Sequence, residues 1–402
     1  MNKIVVFAPP AHGHVNPSLP VVRELVRRGD QVIYYNHEDF REKIESTGCT
    51  FRPYPQTDMS ATKITEILRG GNLAAVINLI MKSTEILLPF SIEELEREKP
   101  DMVIIDSIAV WGRMAATIQQ LPTVAFMAFF LMYGTEEEKR LPINLRHILQ
   151  WLPEIPGTVI PFIRIIFKYG FRMLPPFKSF LPLRGDNNLF FTSKEFHPHS
   201  PLLDDSFHFV GPSISGTTPD THFIPAENTG DVIYIALGTI HGRRDFFLQC
   251  LETFADYPAH FILSVGNEID PESLGIIPDN FSVHKHVPQL EILQRVKAFI
   301  SHAGMNSIHE GLYFSVPMLL IPQQFEQLFG ARCVANQGAG LFLDHHTRFK
   351  QFTNQELRDS LDKLLGDSCY KDNADKISLS LKKTGGYNQA ADKIQQFILQ
   401  NQ

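Results

Sequence analysis

The chain has 402 residues, more than one hydrophobic core usually organises, so two domains are expected. Hydrophobic residues make up 44% of the chain and charged residues 20%, a balance that is typical of a globular protein in water. The net charge of −7 argues against a general nucleic-acid binder, because such proteins carry basic patches.

The cysteines and the N-terminus indicate the compartment. Cys49, Cys250, Cys333 and Cys369 are far apart and lack the paired spacing of a metal site. No leader-like segment precedes the first β-rich run, and no uninterrupted apolar stretch of about 18 residues is present. We therefore expect a cytoplasmic protein without a membrane-spanning helix.

The N-terminal half alternates β-rich runs with helical patterns. Strands are predicted at "KIVVFAP", "QVIYYNH", "DMVIID" and "TVAFMAF". Helices are predicted over Leu19–Arg28 and Ala109–Gln120. This alternation is typical of a parallel sheet with helices on both faces.

The alternation restarts after a stretch rich in Gly, Pro, Thr and Ser. Further strands are predicted at "DVIYIAL", "HFILSVG", "FSVHKHV", "KAFISH" and "PMLLIP", with helices near Arg244–Asp256 and through Ala390–Leu399. The predicted fold class is therefore α/β, with two doubly wound domains that face each other across a cleft. The predicted units are a first domain at 1–211, a linker at 212–230, a second domain at 231–385 and a C-terminal helix at 386–402.

The stretch "SHAGMNSIHE" directly follows one of these apolar strands. In open parallel sheets, ligands bind beyond the carboxyl ends of the strands and near helix N-termini. Gly304 would allow close approach of a ligand to the backbone, and the amides of Asn306 and Ser307 would begin a helix. His302 and the Ser307 hydroxyl could donate to phosphate oxygens.

Glu310, one turn later, could accept two hydrogen bonds from a ribose diol. The alternative is that Ser307 and Glu310 form only a helix-capping box, which their spacing also matches. These ten residues alone do not decide between the two interpretations.

Two more polar segments decide it. "HVPQLEIL" lies one strand upstream and "IPQQFEQ" follows the next strand, so all three segments would reach one edge of the sheet. Together they resemble the nucleotide-sugar signature of the UDP-glycosyltransferase superfamily. The resemblance is closest to the bacterial macrolide-type glycosyltransferases and covers nearly the whole chain.

The resemblance implies the GT-B fold, in which two Rossmann-like domains face each other, and a nucleotide-sugar site in the second domain. His286 stands where many relatives stack a Trp on the uracil. The resemblance assigns the base and ribose to Val287, Pro288 and Gln289, the diphosphate to His302, Gly304, Asn306 and Ser307, the ribose also to Glu310, and the sugar hydroxyls to Glu326 and Gln327.

The loop "PPAHGHVNPSLP" after the first strand has three interpretations. His12 and His14 could bind a metal, but two ligands without a nearby carboxylate make a poor site. The loop could also be an ordinary surface turn. The run "GHVNP" resembles the catalytic segment of the family, which implies that His14 is the general base. Asp106 ends "DMVIID" and matches the family's orienting Asp, although an Asp there is often only a helix cap.

The expected reaction is inverting transfer of a hexose, by family preference glucose, from a UDP-sugar to a hydroxyl of an apolar, macrolide- or flavonoid-like molecule. The product would be a β-glycoside. The UDP-sugar is a co-substrate, and the resemblance implies neither a cofactor nor a metal ion. Two alternatives use the same fold: a nucleotide-sugar epimerase and a membrane-surface glycolipid synthase.

Residues 139–184 are basic and aromatic in an otherwise acidic chain, with a single acid, Glu154. The pattern fits an amphipathic segment on an anionic bilayer. It also fits short helices around an acceptor pocket, which the prolines favour. The pocket is the preferred interpretation, and Phe162, Phe167 and Phe171 are expected to line it from one helix face. The cations are Lys139, Arg140, Arg146, Arg164, Lys168, Arg172, Lys178 and Arg184.

Overall fold

The computed structural model describes residues 1–69, 72–139, 149–171, 183–215, 230–238, 243–344 and 352–401. Strands and helices alternate along these residues and form two separate sheets. Every strand pair in both sheets is parallel. The predicted α/β fold class is therefore confirmed.

The first sheet has seven strands in the order β3-β2-β1-β4-β5-β6-β7. Its strands are β1 (Lys3–Phe7), β2 (Gln31–Asn36), β3 (Thr50–Pro53), β4 (Met102–Asp106), β5 (Thr123–Met127), β6 (Asn187–Phe190) and β7 (Phe207–Phe209). The helices of this half are α1 (His12–Arg27), α2 (Arg41–Glu45), α3 (Ala61–Arg69), α4 (Leu73–Glu98), α5 (Val110–Ile118), α6 (Glu136–Lys139) and α7 (Ile155–Tyr169).

The second sheet has six strands in the order β10-β9-β8-β11-β12-β13. Its strands are β8 (Asp231–Ala236), β9 (Ala259–Ser264), β10 (Phe281–His284), β11 (Ala298–Ser301), β12 (Met318–Leu320) and β13 (Gly340–Phe342). The remaining helices are α8 (Arg244–Thr253), α9 (Gln289–Ile292), α10 (Met305–Tyr313), α11 (Phe325–Asn336), α12 (Asn354–Gly366), α13 (Cys369–Lys383) and α14 (Gly386–Asn401).

The central strands are apolar on both faces because helices cover both sides of each sheet. All five residues of β4 are buried, and Val103 and Ile104 contribute to cores on opposite faces. This burial explains why the strands read as continuous hydrophobic runs in the sequence. It also leaves their polar terminal residues at the carboxyl edge of the sheet.

Helix α1 begins at His12, seven residues before the predicted start at Leu19. The prediction was wrong because Pro17 and Pro20 lie inside the helix. Both prolines lie beyond the first turn, where each removes a helical hydrogen bond, so they weaken the helical pattern in the sequence. His14 therefore lies in the first turn of a helix and not in a loop.

The C-terminal helix α14 packs on α1 of the first half. The Arg28 guanidinium donates to Asp392 at 2.6 Å, and the Gln395 amide donates to Asp30 at 2.7 Å. Ala390 and Ile394 are buried in the core that also contains residues of α1. The C-terminal helix therefore packs on the first helix of the chain. Residues 216–229 of the predicted linker lie outside the described chain.

Helix α4 is long and apolar enough to cross a membrane by length and composition. Half of its most apolar stretch is buried inside the protein, and Leu87 and Leu88 are fully buried. Its hydrophobicity is therefore accounted for in large part by packing in the core of the first half.

Helix α7 corrects the prediction for the three phenylalanines. Phe162 packs on the core, whereas Phe167 is 86% exposed and Phe171 is 75% exposed. Five residues advance a helix by about 140° beyond a full turn, so Phe162 and Phe167 point to different sides. The three rings do not share one pocket wall. Four of the predicted cations lie outside the described residues: Arg140, Arg146, Arg172 and Lys178.

Candidate active site

A cleft lies where helix α1 of the first half meets helix α10 of the second. It encloses about 440 Å³, including space open to solvent. Both helices follow central strands, so the cleft lies at the carboxyl edges of both sheets, where such folds bind ligands. The residues that line it are Asn16, Pro17, Ala128, Phe191, Pro212, Ser213, Ile214, Met305, Asn306, His309 and Glu310.

His14 and Asp106 form a pair at one side of this region. His14 follows β1 and Asp106 ends β4, and these strands are neighbours in the sheet. Nδ1 of His14 lies 3.0 and 2.9 Å from the two carboxylate oxygens of Asp106. The amide of Ile108 donates to the same carboxylate at 3.0 Å, which fixes its orientation. With Nδ1–H donating to Asp106, Nε2 of His14 carries the lone pair.

The balance of charge and burial raises the pKa of His14. Burial alone would lower it, but the charge of Asp106 and the hydrogen bond to it outweigh burial, and the charge of Glu326 adds to them. Glu326 belongs to α11 in the other half of the chain. The protein crowded around the Glu326 carboxyl raises its pKa, while the His14 charge opposes that shift. The two side chains are therefore coupled across the cleft.

Two residues hold the segment between β1 and α1 that leads to His14. The Asn36 amide donates to the carbonyls of Ala8 at 3.1 Å and Pro9 at 3.3 Å, and Asn36 is fully buried. The Tyr54 hydroxyl donates to the Ala8 carbonyl at 3.1 Å. Sequence reasoning missed both residues, because neither lies in a recognisable motif.

Helices α1 and α10 also touch directly. Pro17 has no N–H, so the Gly13 carbonyl lacks its usual helical donor four residues later. The Asn306 amide donates to this carbonyl at 3.3 Å. A proline that weakens the helical pattern in the sequence thus leaves an acceptor for the opposite half of the protein.

The turn between β11 and α10 has an unusual backbone. Ala303 has φ of 65°, a left-handed conformation that costs a non-glycine residue about 1–2 kcal/mol. Gly304 is the residue that precedes the first helical turn, and no side chain caps it. Ser307 lies inside the helix, so the capping-box interpretation of Ser307 and Glu310 is wrong. The first turn of α10 presents its amides at the cleft.

The ring of His302 lies between two glycines. A Cβ added to Gly238 would lie 2.6 Å from Cε1 of His302, and one added to Gly304 would overlap the ring nitrogen Nε2. Gly238 follows β8, and β8 is the neighbour of β11 in the sheet. Sequence reasoning missed Gly238. The feature that could have indicated Gly238 is a glycine directly after the predicted buried strand "DVIYIAL". Gly238 adopts φ of 73°.

Glu310 ends a chain of hydrogen bonds. The Tyr234 hydroxyl donates to Oε1 of Gln289 at 3.2 Å, and the Gln289 amide donates to Oε2 of Glu310 at 2.5 Å. Burial raises the pKa of Glu310 to about 7, although the hydrogen bond from Gln289 opposes the shift. The carboxyl therefore changes charge near neutral pH.

Glu326 and Gln327, which the sequence predicts to bind the sugar, lie at the start of α11. Glu326 as a whole residue is exposed, although the protein around its carboxyl group raises the pKa of that group, whereas Gln327 is 4% exposed. The backbone N–H of Gln323 donates to Oε1 of Gln327 at 2.8 Å. Arg243, before α8, donates to the Gln323 side chain at 3.0 Å. The backbone of Gln323 thus orients the side chain of Gln327, and Arg243 holds the side chain of Gln323.

Several known proteins are similar to this chain in sequence and in fold. Residues 221–384 match the protein family described as "UDP-glucoronosyl and UDP-glucosyl transferase". YojK of Bacillus subtilis, described as an uncharacterized UDP-glucosyltransferase, is 30% identical over all of this chain and 98% of its own length. NDP-glycosyltransferase YjiC of Bacillus licheniformis is 31% identical over 98% of this chain and 97% of its own length. The chain belongs to this family.

A solved structure agrees with the assignment of a UDP-glycosyltransferase fold. The glycosyltransferase of kitacinnamycin has a TM-score of 0.81 to this chain and 25% sequence identity, with 98% of each chain covered. The expected GT-B arrangement of two facing α/β domains is therefore confirmed.

His286, which the sequence predicts to lie beside the nucleotide base, has a small ring. His286 is exposed, and its Nε2 lies 2.7 Å from the Asn267 amide oxygen. Val287 is half-buried and packs on the core of the second domain. An imidazole offers a smaller aromatic face for stacking than an indole does.

His12 does not join a metal site with His14. Its ring stands 4.9 Å from the ring of Phe40, while Nδ1 of His14 pairs with Asp106. Within the described ranges no group of three or more His, Cys, Asp or Glu side chains is arranged to hold a metal ion.

Proposed function

We propose that this glycosyltransferase moves a hexose, glucose by family preference, from a UDP-sugar to a hydroxyl group of an apolar small molecule, with inversion at the anomeric carbon. One observation carries the proposal. Nδ1 of His14 lies 2.9 Å from Asp106 at one side of the cleft, the charge of Glu326 from the other half acts on His14, and the cleft lining includes Asn306 and Glu310.

His14 would act as the general base. Its Nε2 takes the proton of the acceptor hydroxyl, and the acceptor oxygen attacks the anomeric carbon. The bond from that carbon to the diphosphate oxygen breaks on the opposite face, so an α-linked donor gives a β-glycoside and UDP. Asp106 holds the imidazole in the required tautomer and stabilises the positive charge that forms. The raised pKa of His14 agrees with such a partner.

The second domain would hold the donor without a metal ion. His302 and the first-turn amides of α10 face the developing charge on the diphosphate, as helix N-termini favour anions. Glu310, in its ionised form, accepts from the ribose hydroxyls, and Gln289 orients it at 2.5 Å. Glu326 and Gln327 bind the sugar hydroxyls. Val287 and His286 take the base.

The acceptor is proposed to be an apolar natural product with a free hydroxyl, macrolide- or flavonoid-like. Support comes from the glycosyltransferase of kitacinnamycin, which shares the fold over 98% of its length. Closure of the two domains around donor and acceptor would exclude water, which limits hydrolysis of the sugar nucleotide.

The test is incubation with UDP-glucose and a panel of macrolides and flavonoids, in buffer with and without excess EDTA. Mass spectrometry is expected to show an added hexose in both buffers, and NMR of the product to show a β-linkage. The His14→Ala variant is the negative control. A changed sugar in the nucleotide pool without any acceptor would favour the epimerase instead, and an α-linkage would contradict inversion.

A further inference from the structure

Exposed apolar side chains are concentrated on one region of the first domain. Sixteen large apolar residues are exposed among those described, and eleven of them lie on α4, on α7 or within a few residues of α7. Single exposed apolar residues are ordinary, but a concentrated group marks an interaction surface. The eleven are Leu73, Ile77, Ile86, Leu149, Leu152, Ile155, Val159, Ile160, Ile163, Phe167 and Phe171.

The outer side of α7 forms a continuous apolar line. Ile160, Ile163, Phe167 and Phe171 follow one another at intervals of three or four residues, the spacing of one helix face, and Phe171 lies just past the helix end. We call these four residues the outer stripe. Phe167 and Phe171 are 86% and 75% exposed, while Ile165 on the other side of the helix is 3% exposed.

The helix therefore has two apolar sides, of which only the inner one packs on the core of the first domain. Ile165 belongs to the core of the first domain, and Phe162 and Ile166 pack against it. The outer stripe contributes nothing to that core. Leaving two phenylalanine rings in water costs free energy that a second apolar phase would recover.

Cations accompany the outer stripe. Arg164 and Lys168 each directly follow a stripe residue, and Arg164 is 69% exposed at the side chain. The nearby acids are already engaged. Glu85 pairs with Arg164 at 3.6 Å, and Glu154 accepts from the Asn78 amide at 2.5 Å. In a chain of net charge −7, the apolar stripe is thus edged by the Lys168 cation and by Arg164, which keeps most of its side chain exposed although it pairs with Glu85.

We propose that the outer stripe of α7 docks on the surface of an anionic lipid bilayer. Exposed aromatic and aliphatic residues flanked by Lys and Arg are what such a surface binds, through apolar burial and attraction to acidic headgroups. A second copy of the chain is a poorer partner, because a two-fold interface through this face would place the same cations, Arg164 and Lys168, of both copies in one contact area. The proposal is independent of the transfer reaction proposed above.

Vesicle sedimentation of the whole chain tests the proposal. Binding is expected to vesicles of equal parts phosphatidylglycerol and phosphatidylcholine, and to weaken with added salt. Phe167→Ser is expected to reduce the apparent affinity by about tenfold or more, the value of one buried aromatic side chain. Arg164→Gln with Lys168→Gln is expected to lower it further for anionic vesicles, by about fivefold for each charge.

The matched control is Ile276→Ser, which changes a side chain that is 95% exposed in the second domain. It should bind vesicles like the wild type, and the melting temperature of every variant should stay near that of the wild type. Three results would overturn the proposal: no sedimentation with anionic vesicles, equal losses for Phe167→Ser and Ile276→Ser, or a concentration-dependent dimer that Phe167→Ser dissolves while vesicles go unbound.

Discussion

The sequence predicts one cluster of residues at the donor side of the cleft and another on α7. In the structure the first cluster is present, whereas the residues of the second point to different sides of the helix. His302, Gly304 and Glu310 come together at one sheet edge. Phe162 and Phe167, predicted to share a helix face, point to different sides of α7. The difference lies in what fixes each position. The end of a buried parallel strand has one possible location, whereas the orientation of a helix depends on its packing.

We therefore expect the largest effects on turnover from substitutions of residues at or just after strand ends. His14→Ala should reduce turnover by about a thousandfold, since general-base catalysis contributes roughly 10²–10⁴. UDP affinity should stay within about twofold of the wild type, because Nε2 of His14 acts only on the acceptor. Steady-state kinetics and calorimetric titration with UDP separate the two effects. Near-normal turnover in this variant would remove His14 from the mechanism.

Asp106→Asn is the conservative companion. The amide is isosteric and can still accept from Ile108, so the fold should persist, but it cannot stabilise a positive imidazole. We expect turnover to fall by about 10²-fold, less than for His14→Ala, and the apparent pKa of the base in the pH–rate profile to fall. An unchanged pH profile would mean that the carboxylate only caps the following turn.

The sequence predicted those site residues that lie at the ends of buried strands. The runs ending at Asp106 and before His302 are buried strands of a parallel sheet, so their terminal residues could be assigned to the cleft. Two contacts could not. Asn306 reaches Gly13 across 293 residues, and Gly238 matters only because the His302 ring lies against it. The first contact depends on how the two domains meet, and the second on the pairing of β8 with β11 inside one sheet. No local pattern in the sequence records either.

The fold was likewise predicted where patterns are long. The five- and six-residue strands β1, β2, β4, β5, β8 and β9 have strong apolar runs. The strands β3, β6, β7 and β13 have only three or four residues and were not predicted. The strands β10, β11 and β12 are equally short, but they lie inside longer β-rich runs and were predicted. The start of α1 was misplaced because two prolines interrupt its first turns.

Helix α10 permits a sharper test, because adjacent residues have opposite pKa shifts. His309 is 3% exposed, contacts the rings of Phe130 and Phe196 from the first domain, and burial lowers its pKa to about 4. In the unfolded chain its pKa is near the ordinary value of 6.5. Stability is therefore unaffected above pH 6.5 and falls as the pH drops toward 4.

His309→Leu should remove its share of this acid sensitivity. Between about pH 7 and pH 4.5 the free energy of unfolding should fall by about 2 kcal/mol less than in the wild type, the equivalent of nearly two pKa units. Denaturant titrations at both pH values measure the difference. His197, whose pKa burial also lowers to about 4, remains in both proteins and accounts for the residual sensitivity. An identical pH dependence would show that His309 is protonated without penalty.

Glu310 should give the opposite response, in binding rather than in folding. Its pKa of about 7 means that the carboxylate needed for the ribose diol is depleted below neutral pH. UDP affinity of the wild type should therefore weaken by roughly tenfold from about pH 8 to pH 6. Glu310→Gln should bind about tenfold more weakly at high pH, for lack of a charged acceptor, with a smaller pH dependence. Calorimetry at three pH values distinguishes these slopes, and equal slopes would place the ribose elsewhere.

The smallest effect is expected at His286, which is predicted to lie beside the nucleotide base. His286 is exposed, and its Nε2 lies 2.7 Å from the Asn267 amide oxygen, so Asn267 holds the ring in place. His286→Trp should tighten UDP binding by a few-fold, since a larger aromatic face adds about 0.5–1.5 kcal/mol when it stacks. Asn267→Ala should weaken UDP binding slightly in the wild-type background and have no effect when combined with His286→Trp, because the indole does not depend on that anchor. If both single variants bind UDP like the wild type, the ring of His286 does not touch the base, and Val287 alone defines that end of the site.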